Sequence, residues 1–308
     1  MNMKSDFSGI YPPIASPCDE DDQFLPDVFS ALAEHLFMAS VHGLYVCGGT
    51  GDGYKMRLDE RKQAAEIAVN VSRHHHRKVI VHVGSPSNSR DAIELAEHAS
   101  EVGASAVASI PPASFSQVQL VEYYTDIARP GLPVFIYHVP SSRNPTVDDM
   151  VALLDIPGVI GLKATEWNLF FVRRILLARP DTVLFNGFDE MLVLGMLYGA
   201  DGGIGTWYNI FPRLFLNIYD SVRSGQIERA VELQKTLLTF CDLAWAHGPA
   251  AVFEFLMQKK GLADQVFRRP SPALDRETQK RIEPELDQRV ASVEAASAKA
   301  DAGASSGV

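Results

Sequence analysis

Leu132-Pro133-Val134-Phe135-Ile136-Tyr137 and Val159-Ile160-Gly161-Leu162-Lys163 are two apolar runs of strand length, each closing on one polar side chain. Between them, Thr146-Val147-Asp148-Asp149 puts a capping hydroxyl and two acids into the first turn of a helix expected over 146–154. Gly158 then stands where that helix has to stop. Neither run alternates polar with apolar residues, so both faces of the sheet are expected to be covered, as in a parallel sheet flanked by helices.

The same strand–helix unit recurs in both directions along the chain. Strands are expected over 10–15, 43–47, 78–83, 104–110, 132–137, 159–163, 182–186 and 202–206. Helices are expected near 26–40, 58–73, 89–102, 117–129, 146–154, 167–179, 188–198 and 208–224. Eight such units predict an α/β fold, a (β/α)₈ TIM barrel with additional C-terminal helices. A doubly wound sheet usually has a Gly-rich turn after its first strand, and here Ser16-Pro17-Cys18-Asp19 follows instead. The expected organisation is a barrel over 1–225, a helical extension of the same domain over 226–300, and a frayed tail over 301–308. Helices over 227–247, over 250–260 and from 275 to about 300 build the extension; small residues dominate the tail.

Composition narrows the function. With 46% hydrophobic and 21% charged residues, the 308-residue chain reads as a globular protein. A net charge of −10 argues against a nucleic-acid partner. No apolar run is long enough to cross a membrane, and 1–9 lacks the apolar core of a signal peptide. Cys18, Cys47 and Cys241 have no metal-type spacing, and His74-His75-His76 points in three directions on a helix. A reduced, cytoplasmic protein is expected, with no metal, nucleotide or flavin motif and so no cofactor.

A barrel of this kind places its chemistry at the C-terminal ends of the strands. Tyr137 and Lys163 stand out there. A lysine ending an apolar strand sits where burial disfavours an ammonium and frees the amine to attack a carbonyl. A tyrosine one strand away can shuttle the protons of that reaction. The competing reading is a lysine that snorkels to the rim or binds a phosphate. Gly48-Gly49-Thr50-Gly51 offers backbone N–H groups and a hydroxyl suited to a carboxylate, although such a loop can also be a plain tight turn. Asp189 and Glu190 fall in a first helical turn, where acids commonly serve the helix dipole. Strand alternation directs His138 away from the Tyr137 side.

At these same positions the chain resembles the dihydrodipicolinate synthase / N-acetylneuraminate lyase family of class I aldolases. Gly43-Leu44-Tyr45-Val46 with Gly48-Gly49-Thr50-Gly51-Asp52 is similar to its carboxylate loop, Tyr137-His138-Val139-Pro140 to its tyrosine motif, and Gly161-Leu162-Lys163-Ala164-Thr165 to its Schiff-base segment. Phe185-Asn186-Gly187-Phe188-Asp189-Glu190 and the stretch from Gly199 to Asn209 resemble the N-acetylneuraminate lyase branch. The resemblance implies Lys163 and Tyr137 as catalytic residues. It implies Gly49 and Thr50 for the substrate carboxylate, and Thr165, Gly187, Asp189, Glu190 and Thr206 for the rest of a 2-oxo-3-deoxy sugar acid. It also implies a homo-oligomer, tetramer or dimer.

The chain departs from the family at two relay positions. Gly49 stands where a hydroxyl residue precedes the Thr50 equivalent, and Ala113 where a neighbouring subunit usually lends a tyrosine. The carboxylate-binding arginine of the lysine-biosynthesis branch would fall at Ser142, beside Arg143. Three alternatives to sugar-acid cleavage therefore stay open: a Schiff-base dehydratase, a dihydrodipicolinate-synthase-like condensation, and a retired barrel that binds a 2-oxo acid.

Overall fold

Proline decides where the first strand ends. Strand β1 covers only Gly9–Ile10, because Pro12 and Pro13 have no N–H to give a ladder. The structure, a computed structural model, describes residues 3–84, 88–140 and 144–305. The other strands are β2 (Gly43–Val46), β3 (Lys78–His82), β4 (Ala106–Ser109), β5 (Val134–His138), β6 (Val159–Ala164), β7 (Val183–Asn186) and β8 (Gly202–Gly203). After α1 (Met3–Asp6), the barrel helices are α2 (Pro26–Met38), α3 (Leu58–His75), α4 (Ser89–Val102), α5 (Gln117–Ala128), α6 (Val147–Leu154), α7 (Leu169–Ala178), α8 (Leu192–Leu197) and α9 (Pro212–Arg223).

All the strand pairs are parallel, in the order β1-β8-β7-β6-β5-β4-β3-β2. The gap between β1 and β2 is closed by Tyr45 N–H donating to the Pro12 carbonyl at 2.9 Å and Ile14 N–H donating to the Tyr45 carbonyl at 3.0 Å. The (β/α)₈ barrel expected from the repeating units is the fold observed. Helix starts follow local chemistry. Thr146 accepts from Asp149 N–H, Asn168 accepts from Phe171 N–H, and Pro26 and Pro212 open α2 and α9.

Two apolar layers hold the barrel. Tyr11, Tyr45, Ile80, Phe135, Phe185 and Ile204 fill its interior, while a larger cluster joins the strands to the helices outside. Each buried aromatic or aliphatic side chain contributes about 1.5–3 kcal/mol. Period-two alternation turns Phe135 and Tyr137 of β5 inward. The β5–β6 register pairs them with Gly161 and Lys163.

Helices α10 (Ile227–His247), α11 (Pro249–Lys259) and α12 (Arg276–Ser305) follow, and both α10 and α12 pack on α9. Helix α12 runs through Ser305, so the stretch that reads in sequence as a frayed tail is helical as far as the structure describes it. Residues 306–308 lie outside the described residues. No helix among the described residues is long and apolar enough to cross a membrane.

Candidate active site

Lys163 is 6% exposed. Its Nζ lies 4.2 Å from the ring centroid of Tyr137 and 5.0 Å from that of Tyr45. It ends an inward-facing row on β6, where Leu162 and Ala164 turn the other way into the helix-packing layer. Among the described residues no carboxylate forms an ion pair with it. The amine is thus held between two aromatic faces, at the position from which it can meet a carbonyl.

Lys163 lines a cleft of about 350 Å³ at the C-terminal ends of the strands, a size ordinary for a small-molecule site. All nine residues singled out from sequence line this one cleft: Gly49, Thr50, Tyr137, Lys163, Thr165, Gly187, Asp189, Glu190 and Thr206. The Thr50 and Thr206 hydroxyls are hydrogen-bonded to each other at 2.7 Å, which joins the Gly-rich loop after β2 to the segment after β8. That loop is closed by Gly53 N–H donating to the Gly48 carbonyl, and Cys47 and Asp52 adopt positive φ within it. Left-handed backbone at non-glycine residues costs energy and gathers at functional turns.

Two glycines have different reasons. A Cβ at Gly187 would lie 2.2 Å from the Thr165 hydroxyl, so only glycine lets these two segments approach. A Cβ at Gly49 would meet nothing within 4 Å. There is space beside the loop for the hydroxyl side chain that this chain lacks. The Thr165 hydroxyl is buried without a partner among the described residues.

Asp189 and Glu190 reach the cleft with part of their capacity already used. Asp189 accepts from Trp207 N–H at 2.8 Å and Thr206 N–H at 3.0 Å, one bond to each carboxylate oxygen. It therefore builds the short 3₁₀ turn, Thr206–Asn209, that carries Thr206. Burial first, then the Glu190 carboxylate, push Asp189 up to about 8 against the pull of those N–H groups and of Lys163. That value lies above the 3.8 of a free carboxyl. The group therefore stabilises the fold fully below the lower value and loses that contribution as pH rises through the upper one. Asp189→Asn does not titrate. Melting temperature measured against pH should fall less steeply in this variant across that window, and an unchanged slope would remove Asp189 as the cause.

Some neighbours were not singled out from sequence. Tyr45 and His82 pack edge-on to the Tyr137 ring, with centroids 6.5 and 6.0 Å away. Period-two alternation from Tyr137 would have found both, since each faces inward on its own strand. Burial, with the Arg61 and Lys163 charges behind it, holds His82 well below the usual histidine range, so the ring is neutral. Tyr54 donates towards it, with 3.3 Å between the hydroxyl and Nε2. Trp245, at the end of α10, bonds Glu190; no local pattern announces that contact across the fold.

Other sequence readings find different places. His138 is buried outside the cleft, with Nε2 2.9 Å from Glu166 Oε2. It ties β5 to the turn after β6. Ala113 is exposed and does not line the cleft. Cys47 is fully buried and burial raises its thiol, as suits a packing residue. Ser142 and Arg143 lie outside the described residues.

Comparison with known proteins agrees with this geometry. The dihydrodipicolinate synthetase family model matches residues 6–289. An N-acetylneuraminate lyase of Rhizobium meliloti (strain 1021) is 35% identical over 231 residues, 73% of this chain and 76% of that one. One of Salmonella typhimurium is 33% identical over 247 residues, 78% of this chain and 82% of its own. Among solved structures, the sialic acid aldolase of Ruminococcus gnavus superposes with a TM-score of 0.87 at 26% identity, covering 94% of this chain and 98% of that one. With a buried lysine and a tyrosine paired across β5 and β6, and a family match over nearly the whole barrel, this chain belongs to the dihydrodipicolinate synthetase family.

Proposed function

We propose that the protein is a class I aldolase, a carbon–carbon lyase that cleaves a 2-oxo-3-deoxy sugar acid, with N-acetylneuraminate the best single substrate, to pyruvate and an aldehyde. The observation that carries this reading is Lys163, buried at the base of the cleft against the Tyr137 ring. Its amine adds to the C2 carbonyl and loses water to form an iminium. Tyr137 takes the proton of the C4 hydroxyl, and the C3–C4 bond breaks. The electron pair passes into the iminium as an enamine, and C4 leaves as the aldehyde. Protonation at C3 and hydrolysis then release pyruvate and restore the lysine. The loop N–H groups and Thr50 hold the substrate carboxylate. Thr165, Gly187, Glu190 and Thr206 meet its remaining length, and Asp189 shapes the turn beneath.

The protein works as a cytoplasmic homo-oligomer in this reading. Phe170 and Leu177 on α7 and Leu194 and Leu197 on α8 are about half or more exposed, which supports a partner surface. Retention of the Lys163–Tyr137 pair favours an enzyme over a retired binder.

The test compares two ligands on one variant. Hydrogen bonds to a charged acceptor are worth about 1.5–3 kcal/mol, so Glu190→Ala should lower kcat/KM for the sugar acid by roughly 10–100-fold. Pyruvate has no distal hydroxyl, and its capture by Lys163 should slow far less. Equal losses on both ligands would make Glu190 a structural acid and remove the long substrate from the account. A screen of several 2-oxo-3-deoxy sugar acids with product identification separates cleavage from dehydration.

A further inference from the structure

We infer that Tyr54 is a positioning residue for the catalytic proton: it connects the Tyr137 hydroxyl to solvent, and His82 holds it there. The inference rests on the aldolase reading above and deepens it, because it names the route by which Tyr137 is reset.

Local geometry brings Tyr54 to this place. The loop after β2 folds back so tightly that a Cβ at Gly53 would lie 2.0 Å from the Cys47 carbonyl oxygen. On either side of Tyr54 the loop is tied to Arg268. Asp52 accepts the Arg268 N–H at 2.7 Å, and Lys55 Nζ donates to the Arg268 carbonyl at 2.8 Å. The Tyr54 ring packs edge-on to His82 with centroids 5.4 Å apart, and His82 packs edge-on to Tyr137 at 6.0 Å. His82 can reach across β4 because its partner there is Ala108, whose methyl takes little room inside the barrel. Three rings thus run in one chain from Tyr137 to Tyr54, which is 38% exposed.

The chemistry of the chain makes Tyr54 its working member. His82 Nε2 accepts the Ile110 N–H at 3.2 Å, so this nitrogen carries no hydrogen. It is also a poor base, since burial and the Arg61 and Lys163 charges keep the ring neutral. The Tyr54 hydroxyl donates towards the same nitrogen, which leaves the lone pairs of its oxygen free to accept. Burial first, then the Tyr137 phenol, hold that hydroxyl well above the usual tyrosine range, so it stays protonated and can both take and give a proton. Neighbouring hydroxyls are less suited. Tyr45 is fully buried and has no path to water, while Thr50 and Thr206 are bonded to each other.

Protons balance along this route. As Tyr137 takes a proton from the substrate, its own passes to the Tyr54 oxygen, and Tyr54 releases its own to water. The reverse sequence returns a proton from water to C3 of the enamine.

The experiment needs only pyruvate. In deuterium oxide the unaltered protein should exchange the C3 protons of pyruvate, as followed by proton NMR. Tyr54→Phe should slow this exchange by roughly 10- to 100-fold, up to the scale of a positioned acid/base, while borohydride traps pyruvate on Lys163 to the same extent. The double variant Tyr54→Phe/Tyr137→Phe should be no slower than Tyr137→Phe alone, because both hydroxyls act on one proton. His82→Leu should reproduce the Tyr54→Phe loss, and His82→Gln, which keeps a neutral acceptor, should recover most of it. Unchanged exchange in Tyr54→Phe, equal losses in exchange and trapping, or additive losses in the double variant overturn the inference. Trapping without exchange in the unaltered protein overturns it as well. No adduct at Lys163 in the unaltered protein overturns the aldolase reading itself.

Discussion

Lys163→Met should abolish turnover, with a fall on the order of 10⁴-fold or more, the scale that follows loss of a covalent nucleophile. Methionine keeps most of the side-chain volume and is at home between the Tyr45 and Tyr137 rings. The variant is therefore expected to keep its melting temperature. Circular dichroism on heating checks the fold, and a coupled assay for pyruvate release checks activity. A variant that retained more than about one-hundredth of wild-type turnover would mean that the reaction does not pass through this amine.

Tyr137→Phe should lower kcat by about 10²-fold or more while pyruvate still binds, because only the positioned acid/base is removed. The ring itself stays, and with it the edge-on packing against Tyr45 and His82. Steady-state kinetics over a range of pH would separate the effects. The loss should appear in kcat, with KM changed little. Near-normal turnover would transfer proton movement to another group, and the His82–Tyr54 pair beside the ring would be the first to examine.

The parts of this account that were legible in the sequence are those set by local periodicity. Each of the eight strands was foreseen, because runs such as 134–138 and 159–164 are apolar on both faces and bounded by helix stops. Their ends were less legible. Strand β1 stops at Ile10 because of Pro12 and Pro13, and β8 stops at Gly203 because the chain turns into the 3₁₀ segment that Asp189 holds. The helix expected over 188–198 divides into a 3₁₀ turn, Asp189–Met191, and α8 for the same reason. A carboxylate reaching across to Thr206 and Trp207 leaves no mark in a window of neighbouring residues.

The same distinction holds for the site. Lys163 and Tyr137 were visible as polar ends of apolar strands, and their adjacency follows from β5 pairing with β6. Gly49, Thr50, Thr165, Gly187, Asp189, Glu190 and Thr206 were expected on the resemblance, and one cleft gathers them. The bond between Trp245 and Glu190 was not visible. It spans 55 positions and depends on how α10 lies against the turn after β7. Long-range packing of this kind is what tunes a shared scaffold towards one substrate.

The most direct measurement is borohydride reduction in the presence of pyruvate, followed by intact-mass and peptide analysis. Pyruvate should leave one stable reduced adduct per chain, and fragmentation should place it on Lys163. No adduct, or one distributed over the exposed lysines, would contradict the Schiff-base chemistry on which the account depends.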